Sequence, residues 1–409
     1  MKIILFFSLV LLTTGCEALQ DQPIQVEDGP VPYQAQDVQV SLRAVAQDLE
    51  LPWDMAFIND KEFLVTEKPG RLSRINLASG ESTLIQGLPE VAFKGQGGLL
   101  GVALHPLFAE NAIVYLSYSI ALDEGTYTTR LLRARLSNQQ LVEQQVLFTA
   151  EPALKTSKHF GGALVFDDQG YLYLTVGDRG RRDNAQDLGS HLGKIHRFNA
   201  DGSIPRSNPF IDQPEARPEI YSWGHRNPQG LAIHPQTGDI WAAEHGPQGG
   251  DEINLIRAGA NFGWPVITYG EEYGGGKIGE GTAKSTMEQP VHYYLPSIGT
   301  AGIGFYNGDR IPQWRHNLFV TGLVYTRAHV GRLALEGSTV VDEELLFDHL
   351  NMRMRGVENG PDGVLYLLSE NGSIFAIAND ASHEPHQSDH QHHLTNDDGS
   401  EDHHHHPED

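Results

Sequence analysis

Between Trp53 and Ala378 one arrangement of three short apolar runs recurs six times, and few folds can absorb it. The first runs are WDMAF (53–57), LGVAL (100–104), GALVF (162–166), QGLAI (229–233), AGIGF (301–305) and RGVEN (355–359). Each is followed by a richer β-forming run (EFLVTE, IVYLSYS, YLYLTVGD, DIWAAEHG, LFVTGLVY, VLYLLSE) and then by a third (RLSRIN, RLLRARL, KIHRFN, EINLIR, GRLALE, SIFAIA). Successive units start about 47 to about 72 residues apart, separated by Gly, Pro, Asp and Asn turns, and no segment sustains helical periodicity. Strand repeats at this period predict an all-β chain: a six-bladed β-propeller with antiparallel four-stranded blades over residues 38–379. An open solenoid of six units is the competing architecture. The run VQVSLRAVA (38–46) precedes the first unit and is free to close a ring by pairing with the last blade.

The flanks differ from this core. Residues 1–16, MKIILFFSLVLLTTGC, combine one lysine, a short apolar run and small residues, an export signal too short to anchor by spanning a bilayer. Its Gly-Cys end resembles a bacterial lipoprotein signal, which makes Cys16 the expected lipid-bearing residue and the periplasmic side of a membrane the expected location. Cys16 is the only cysteine, so the exported protein has neither an internal disulfide nor a CxxCH haem site. Residues 17–37 read as a polar, proline-bearing tether. Residues 380–409 hold nine of the 20 histidines among nine acids with almost nothing apolar, and cannot order themselves. That tail reads either as a transition-metal chelator or as a solvating segment. The formal charge is −24; without the tail, 29 basic side chains face 44 acidic ones, about −15, which argues against nucleic acid as a partner.

Polar side chains stand at matching places in different units. Gln96 precedes the first strand of the second unit, His159 that of the third, Arg226 and Asn227 that of the fourth, and Arg353 and Arg355 that of the sixth. In a propeller these places border the axis, so together they describe a central pocket. Taken alone, His159 reads as readily as a structural histidine. Three arginines exceed what a neutral sugar needs, and guanidinium forks match carboxylates. Histidine is the side chain best suited to take a proton near neutral pH. Asp178, in TVGDRG, reads as its orienting partner or as a turn residue. EHGPQGGDEIN (244–254) offers carboxylates and turn carbonyls, hard oxygen donors that suit calcium better than zinc; a solvated acidic turn is the rival reading.

From about Leu51 to Ile377 the chain resembles the soluble quinoprotein sugar dehydrogenases, in particular bacterial aldose sugar dehydrogenases that use pyrroloquinoline quinone (PQQ). The resemblance rests on GQGGLLGVALHP, HFGGALVF, GKIHRFNADGSIPRSNPF, WGHRNPQGLAIHP, EHGPQGGDEIN, NFGWP and MRMRGVENGPDG. It implies His159 as the general base for the sugar C1 hydroxyl, and Gln96, Arg226, Asn227, Tyr273, Arg353 and Arg355 as quinone contacts. It implies backbone carbonyls of Gly246 and Pro247 for an activating calcium, and Glu252 with Phe262 for a second, structural one. It implies an aldose substrate, a lactone product and an external electron acceptor, since the sequence carries no haem or flavin motif. One departure stands out: where the family has a lysine after the fifth blade's second strand, this chain has Val324, with Arg327 three residues on. Two rival functions follow, a calcium-dependent lactonase-type hydrolase and a non-catalytic binding propeller.

Overall fold

The computed structural model describes residues 30–324, 329–350 and 352–379. Six antiparallel sheets form six blades, and the inner strands follow the predicted runs: Pro52–Phe57, Leu99–Leu104, Leu164–Phe166, Pro228–Ile233, Thr300–Phe305 and Met354–Asn359. The second strands Leu172–Val176, Ile240–Glu244, Leu318–Gly322 and Leu365–Ser369 are buried along their whole length. Each is covered by a neighbouring blade on both faces, so these runs lack the alternation of a half-exposed strand.

Glycine explains how the inner strands crowd the axis. A Cβ on Gly101 of the second blade would lie 2.3 Å from the Gly162 carbonyl of the third. On Gly230 of the fourth blade it would lie 2.5 Å from the Ala301 carbonyl of the fifth. Inner strands can approach this closely only without a side chain at the contact. A second device stitches the ring. Thr66, Ser117 and Thr175 each accept the N–H freed where their own blade's first strand bulges or begins, from Asp54, Gly101 and Ala163. Each then donates to a carbonyl at the next blade's inner edge, Leu100, Gly162 or Pro228. One buried hydroxyl thereby satisfies two backbone groups and ties two blades.

The core is distributed between blades. Separate buried clusters join blades one and two (Leu64, Val102, Leu116), two and three (Tyr115, Leu131, Leu174), three and four (Tyr173, Ile195, Ala242), four and five (Trp241, Ile253, Phe305), and five and six (Phe319, Leu365, Phe375). A sixth cluster joins six back to one through Met55, Phe63, Tyr366 and Ile374. That contact closes the ring and removes the open solenoid. Gln39–Ala46 pairs antiparallel with Ile374–Asn379, so the N-terminal segment completes the last blade as expected.

Two boundaries shift. Val31–Gln34, placed in the tether by the sequence reading, forms a strand on Gln39–Ala46 and gives the sixth blade a fifth strand. The edge left open by Gln39–Ala46 has unpaired backbone groups, and the short run VPYQ supplies partners for them. Arg355, read as preceding the sixth unit's first strand, lies within that strand. Cys16 with the export signal, the remainder of the tether before residue 30, the His-rich tail and Arg327 lie outside the described residues. Among the described residues no helix is long and apolar enough to cross a membrane.

Candidate active site

His159 sits on the loop before the third blade's inner strand, with φ of +53°. A left-handed backbone is uncommon for a non-glycine residue and has to be held by its surroundings. Gln96 accepts the His159 N–H at 2.7 Å. The fully buried Arg179 donates to the carbonyls of Lys158, Tyr127 and Thr156 and stacks 3.6 Å from the Phe160 ring centre, bracing the same loop. Gly177 completes the mould, since a Cβ there would lie 2.3 Å from the His159 carbonyl.

The His159 ring is oriented from behind. Its Nδ1 lies 2.6 Å from Asp178 Oδ1, which also accepts the Gly180 N–H, while Asp178 Oδ2 accepts Trp264 Nε1–H at 2.8 Å. Asp178 is therefore both orienting partner and turn residue. A carboxylate only accepts, so neutral His159 carries its proton on Nδ1 and its lone pair on Nε2. Burial lowers the His159 pKa, helped by the charges of Arg226 and Lys158 and opposed by Asp178. Burial alone would raise the Asp178 pKa, but the hydrogen bond and charge of His159, then the bonds from Gly180 and Trp264, hold it below the ordinary carboxylate value. The pair is thus a neutral base on an ionised carboxylate at neutral pH.

His159 faces a cavity of about 420 Å³ that also exposes Gln96, Arg226, Asn227, Gly246, Pro247 and Tyr273. Arg226 reaches the His245 carbonyl at 3.2 Å and the Tyr273 hydroxyl at 3.4 Å, and its guanidinium lies over Trp264. Among the described residues its buried Nε has no hydrogen-bond partner. A second cavity of about 360 Å³ shares Gln96, Asn227 and His245 with the first and carries Lys68, Arg353, Arg355 and Glu370. Glu370 binds both arginines, Arg353 at 2.7 Å and Arg355 through a short bond. The joint hollow is cationic on one side and has the His159–Asp178 pair on the other. Such a hollow can hold a rigid polyanion against a proton acceptor.

The turn after Glu244 is built by Asp251. Its carboxylate accepts the N–H groups of Gly246, Ile298 and Thr300 and the Ser297 hydroxyl, which fixes the backbone of Gly246 and Pro247 at the cavity wall. Neither carbonyl accepts a hydrogen bond from the described residues. Glu252 and Phe262 do not line the cavity; they meet in a separate buried cluster. There Asn254 Nδ2 bridges Glu244 and Glu252 while its buried Oδ1 has no donor among the described residues. The Phe262 ring stacks on His225, itself 2.9 Å from Glu244, so any oxygen Phe262 offers is its carbonyl. Burial, then the neighbouring Glu244, pushes the Glu252 pKa up to about 8. The buried Glu244 carboxylate, the half-buried Glu252 carboxylate and the Asn254 amide oxygen are donors suited to a hard cation.

The structure therefore gathers all seven non-metal candidates around one hollow, contributed by blades two, three, four and six. It adds Lys68, Trp264 and Glu370, which sequence reasoning did not single out, and brings His245 of the EHGPQGGDEIN turn to both cavities. Trp264 was visible in NFGWP, but only its reach across to Asp178 reveals its part; Lys68 stands in an ordinary strand-end TEKPG with no chemical signature. Val324 is half-buried, with its Cγ2 against Gly299 at the cavity wall, and brings no charge there.

Comparison with known proteins agrees with this layout. Residues 49–376 match the family described as Glucose / Sorbosone dehydrogenase. The chain is 40% identical to the aldose sugar dehydrogenase YliI of Escherichia coli over 339 residues, covering 82% of this chain and 91% of that protein. A crystal structure of a glucose dehydrogenase superposes with a TM-score of 0.80 at 42% identity, covering 82% of this chain and 98% of that one. The PQQ-bound aldose sugar dehydrogenase of Streptomyces coelicolor superposes with a TM-score of 0.70 at 28% identity, covering 85% and 99%. With the match running through all six blades, the chain belongs to the glucose/sorbosone dehydrogenase family.

Proposed function

We propose that this protein oxidises the C1 hydroxyl of an aldose to the lactone, with PQQ and calcium bound in the axial hollow and electrons leaving to an external acceptor. The observation that carries the reading is a neutral, carboxylate-oriented histidine opposite a cluster of cations in one hollow. The donor set fits both groups. Arg226 has an orphaned buried Nε, and Arg353 and Arg355 share one carboxylate, which suits a ligand with several carboxylates. The unbonded carbonyls of Gly246 and Pro247 suit calcium at the cavity wall, and the Glu252 cluster suits a second, structural ion.

When bound, the quinone supplies the acceptor for the hydride leaving C1, and calcium makes it more electrophilic. The chain's part is the proton. His159 Nε2 takes it from the C1 hydroxyl as the C1–H bond breaks, and Asp178 stabilises the imidazolium that forms. Gln96 and Asn227 hold the loop that carries His159, through its own N–H and that of Gly161. The hydrolase reading loses support because, among the described residues, Glu370 is the one carboxylate lining the two cavities and is engaged by two arginines. By its first sixteen residues we place the enzyme as an exported lipoprotein anchored through Cys16 on the periplasmic side.

The test is to purify the apo-protein, add PQQ with calcium, and follow dye reduction with a panel of aldoses. Quinone-dependent reduction is expected. No reduction together with no quinone binding by calorimetry refutes the proposal. His159→Ala should abolish turnover while quinone binding persists; retained turnover removes its role as base.

A further inference from the structure

We propose that Lys68 is a fourth cationic contact, beside the three arginines, for the carboxylates of the bound cofactor, a positioning residue that offsets the uncharged Val324. The inference rests on the quinone reading above. Lys68 follows the first blade's second strand, Glu62–Glu67, and lines the hollow beside Arg353, Arg355 and Glu370. Its backbone is pinned on both sides: its N–H donates to Leu51, and its carbonyl accepts the N–H of Leu99 at the start of the second blade. Gly98 permits that contact, since a Cβ there would lie 2.3 Å from the Lys68 carbonyl. The side chain therefore starts from a fixed point facing the hollow.

The charges on this side do not balance. Three cations, Lys68, Arg353 and Arg355, face one carboxylate, Glu370. Glu370 is taken by the two arginines, and the recorded bond of the Lys68 ammonium is a long one, 3.5 Å to the Gly95 carbonyl. Among the described residues no carboxylate pairs with Lys68. Burial, then the neighbouring Arg355, lowers its pKa, with Glu370 opposing. Unbalanced cations in a half-buried site are costly unless an anion joins them. The excess of two positive charges fits a ligand presenting two carboxylates to this wall. Leu323, which precedes the uncharged Val324, lines the same hollow, and Lys68 brings a charge to it from the first blade.

The experiment titrates the full-length apo-protein with PQQ at saturating calcium and reads binding by calorimetry, without turnover. A charge-assisted contact predicts that K68M binds about ten- to a hundredfold more weakly than wild type. K68R should stay within about threefold, and K68M should show a shallower loss of affinity with added salt. Adding V324K to K68M should recover much of the affinity. Wild-type affinity in K68M overturns the inference while leaving the quinone reading intact. Failure of wild type itself to bind PQQ overturns the parent reading, and this one with it. Should K68M not fold, K68Q decides by the same titration: a loss of affinity of about tenfold or more agrees with the role, and wild-type affinity overturns it.

Discussion

Replacing Asp178 by Asn isolates the orienting half of the proposed base. The substitution keeps the shape but removes the charge and one acceptor. Asp178 takes three hydrogen bonds, from His159 Nδ1, Gly180 N and Trp264 Nε1. An asparagine oxygen can serve His159 and Gly180 only by turning its NH₂ toward the Trp264 N–H, or serve Trp264 only by presenting NH₂ to His159. The first orientation leaves two donors facing each other in a buried site, at a cost of about 1–3 kcal/mol in stability. The second forces the His159 proton onto Nε2 and removes the lone pair from the substrate side. The lost charge-assisted bond is about 1.5–3 kcal/mol, and general-base catalysis as a whole contributes about 10²–10⁴-fold. We therefore expect kcat to fall about 10²–10³-fold with quinone affinity nearly unchanged.

The pH profile carries a sign. Asp178 raises the His159 pKa against burial, so its loss moves that pKa further down. The acid limb of kcat/KM, where His159 must be neutral, should shift to lower pH while the plateau drops. Dye-coupled rates of the quinone-loaded enzyme over about pH 5 to 8 measure both quantities. An unchanged plateau, or a limb displaced to higher pH, refutes the orienting role.

Three other outcomes follow from the same coordinates. Gly177→Ala puts a methyl 2.3 Å from the His159 carbonyl and 2.8 Å from Asn227 Oδ1, and should cost about 1–3 kcal/mol by urea unfolding with a disproportionate loss of kcat; Gly281→Ala, in open space, is the control and should be silent. Calcium at a hundred times its Kd should stabilise the protein by about 2.7 kcal/mol, seen as a rise in Tm, and Glu252→Gln should remove part of that rise; a Tm indifferent to calcium in both proteins rejects the structural ion. Leu42, 1% exposed in the strand that closes the ring, should cost about 2–5 kcal/mol on change to Ala, and a negligible cost would mean the closure contributes little to stability.

The fold was legible because its signals are local. Each blade repeats three apolar runs with turn residues between them, and each inner strand falls where its run predicts. The motif residues were legible for the same reason, since Gln96, His159 and Arg226 stand at equivalent points of successive repeats. Val31–Gln34 was not, because a four-residue edge strand has too little pattern to show until its partner exists. Lys68, Trp264 and Glu370 escaped for a different reason. Their roles depend on which side chains meet across the axis, from positions as far apart as 68 and 370, and no spacing in the chain records that distance.

By itself, then, the sequence determined six antiparallel units and most of the polar groups that face their axis, because periodicity and turn chemistry act between near neighbours. Only the tertiary structure decided that the ring closes through the contact of the sixth blade with the first. It alone set Asp178 behind His159 and, among the described residues, left the charge of Lys68 without a paired carboxylate, because those relations arise where strands distant in the chain converge at close range.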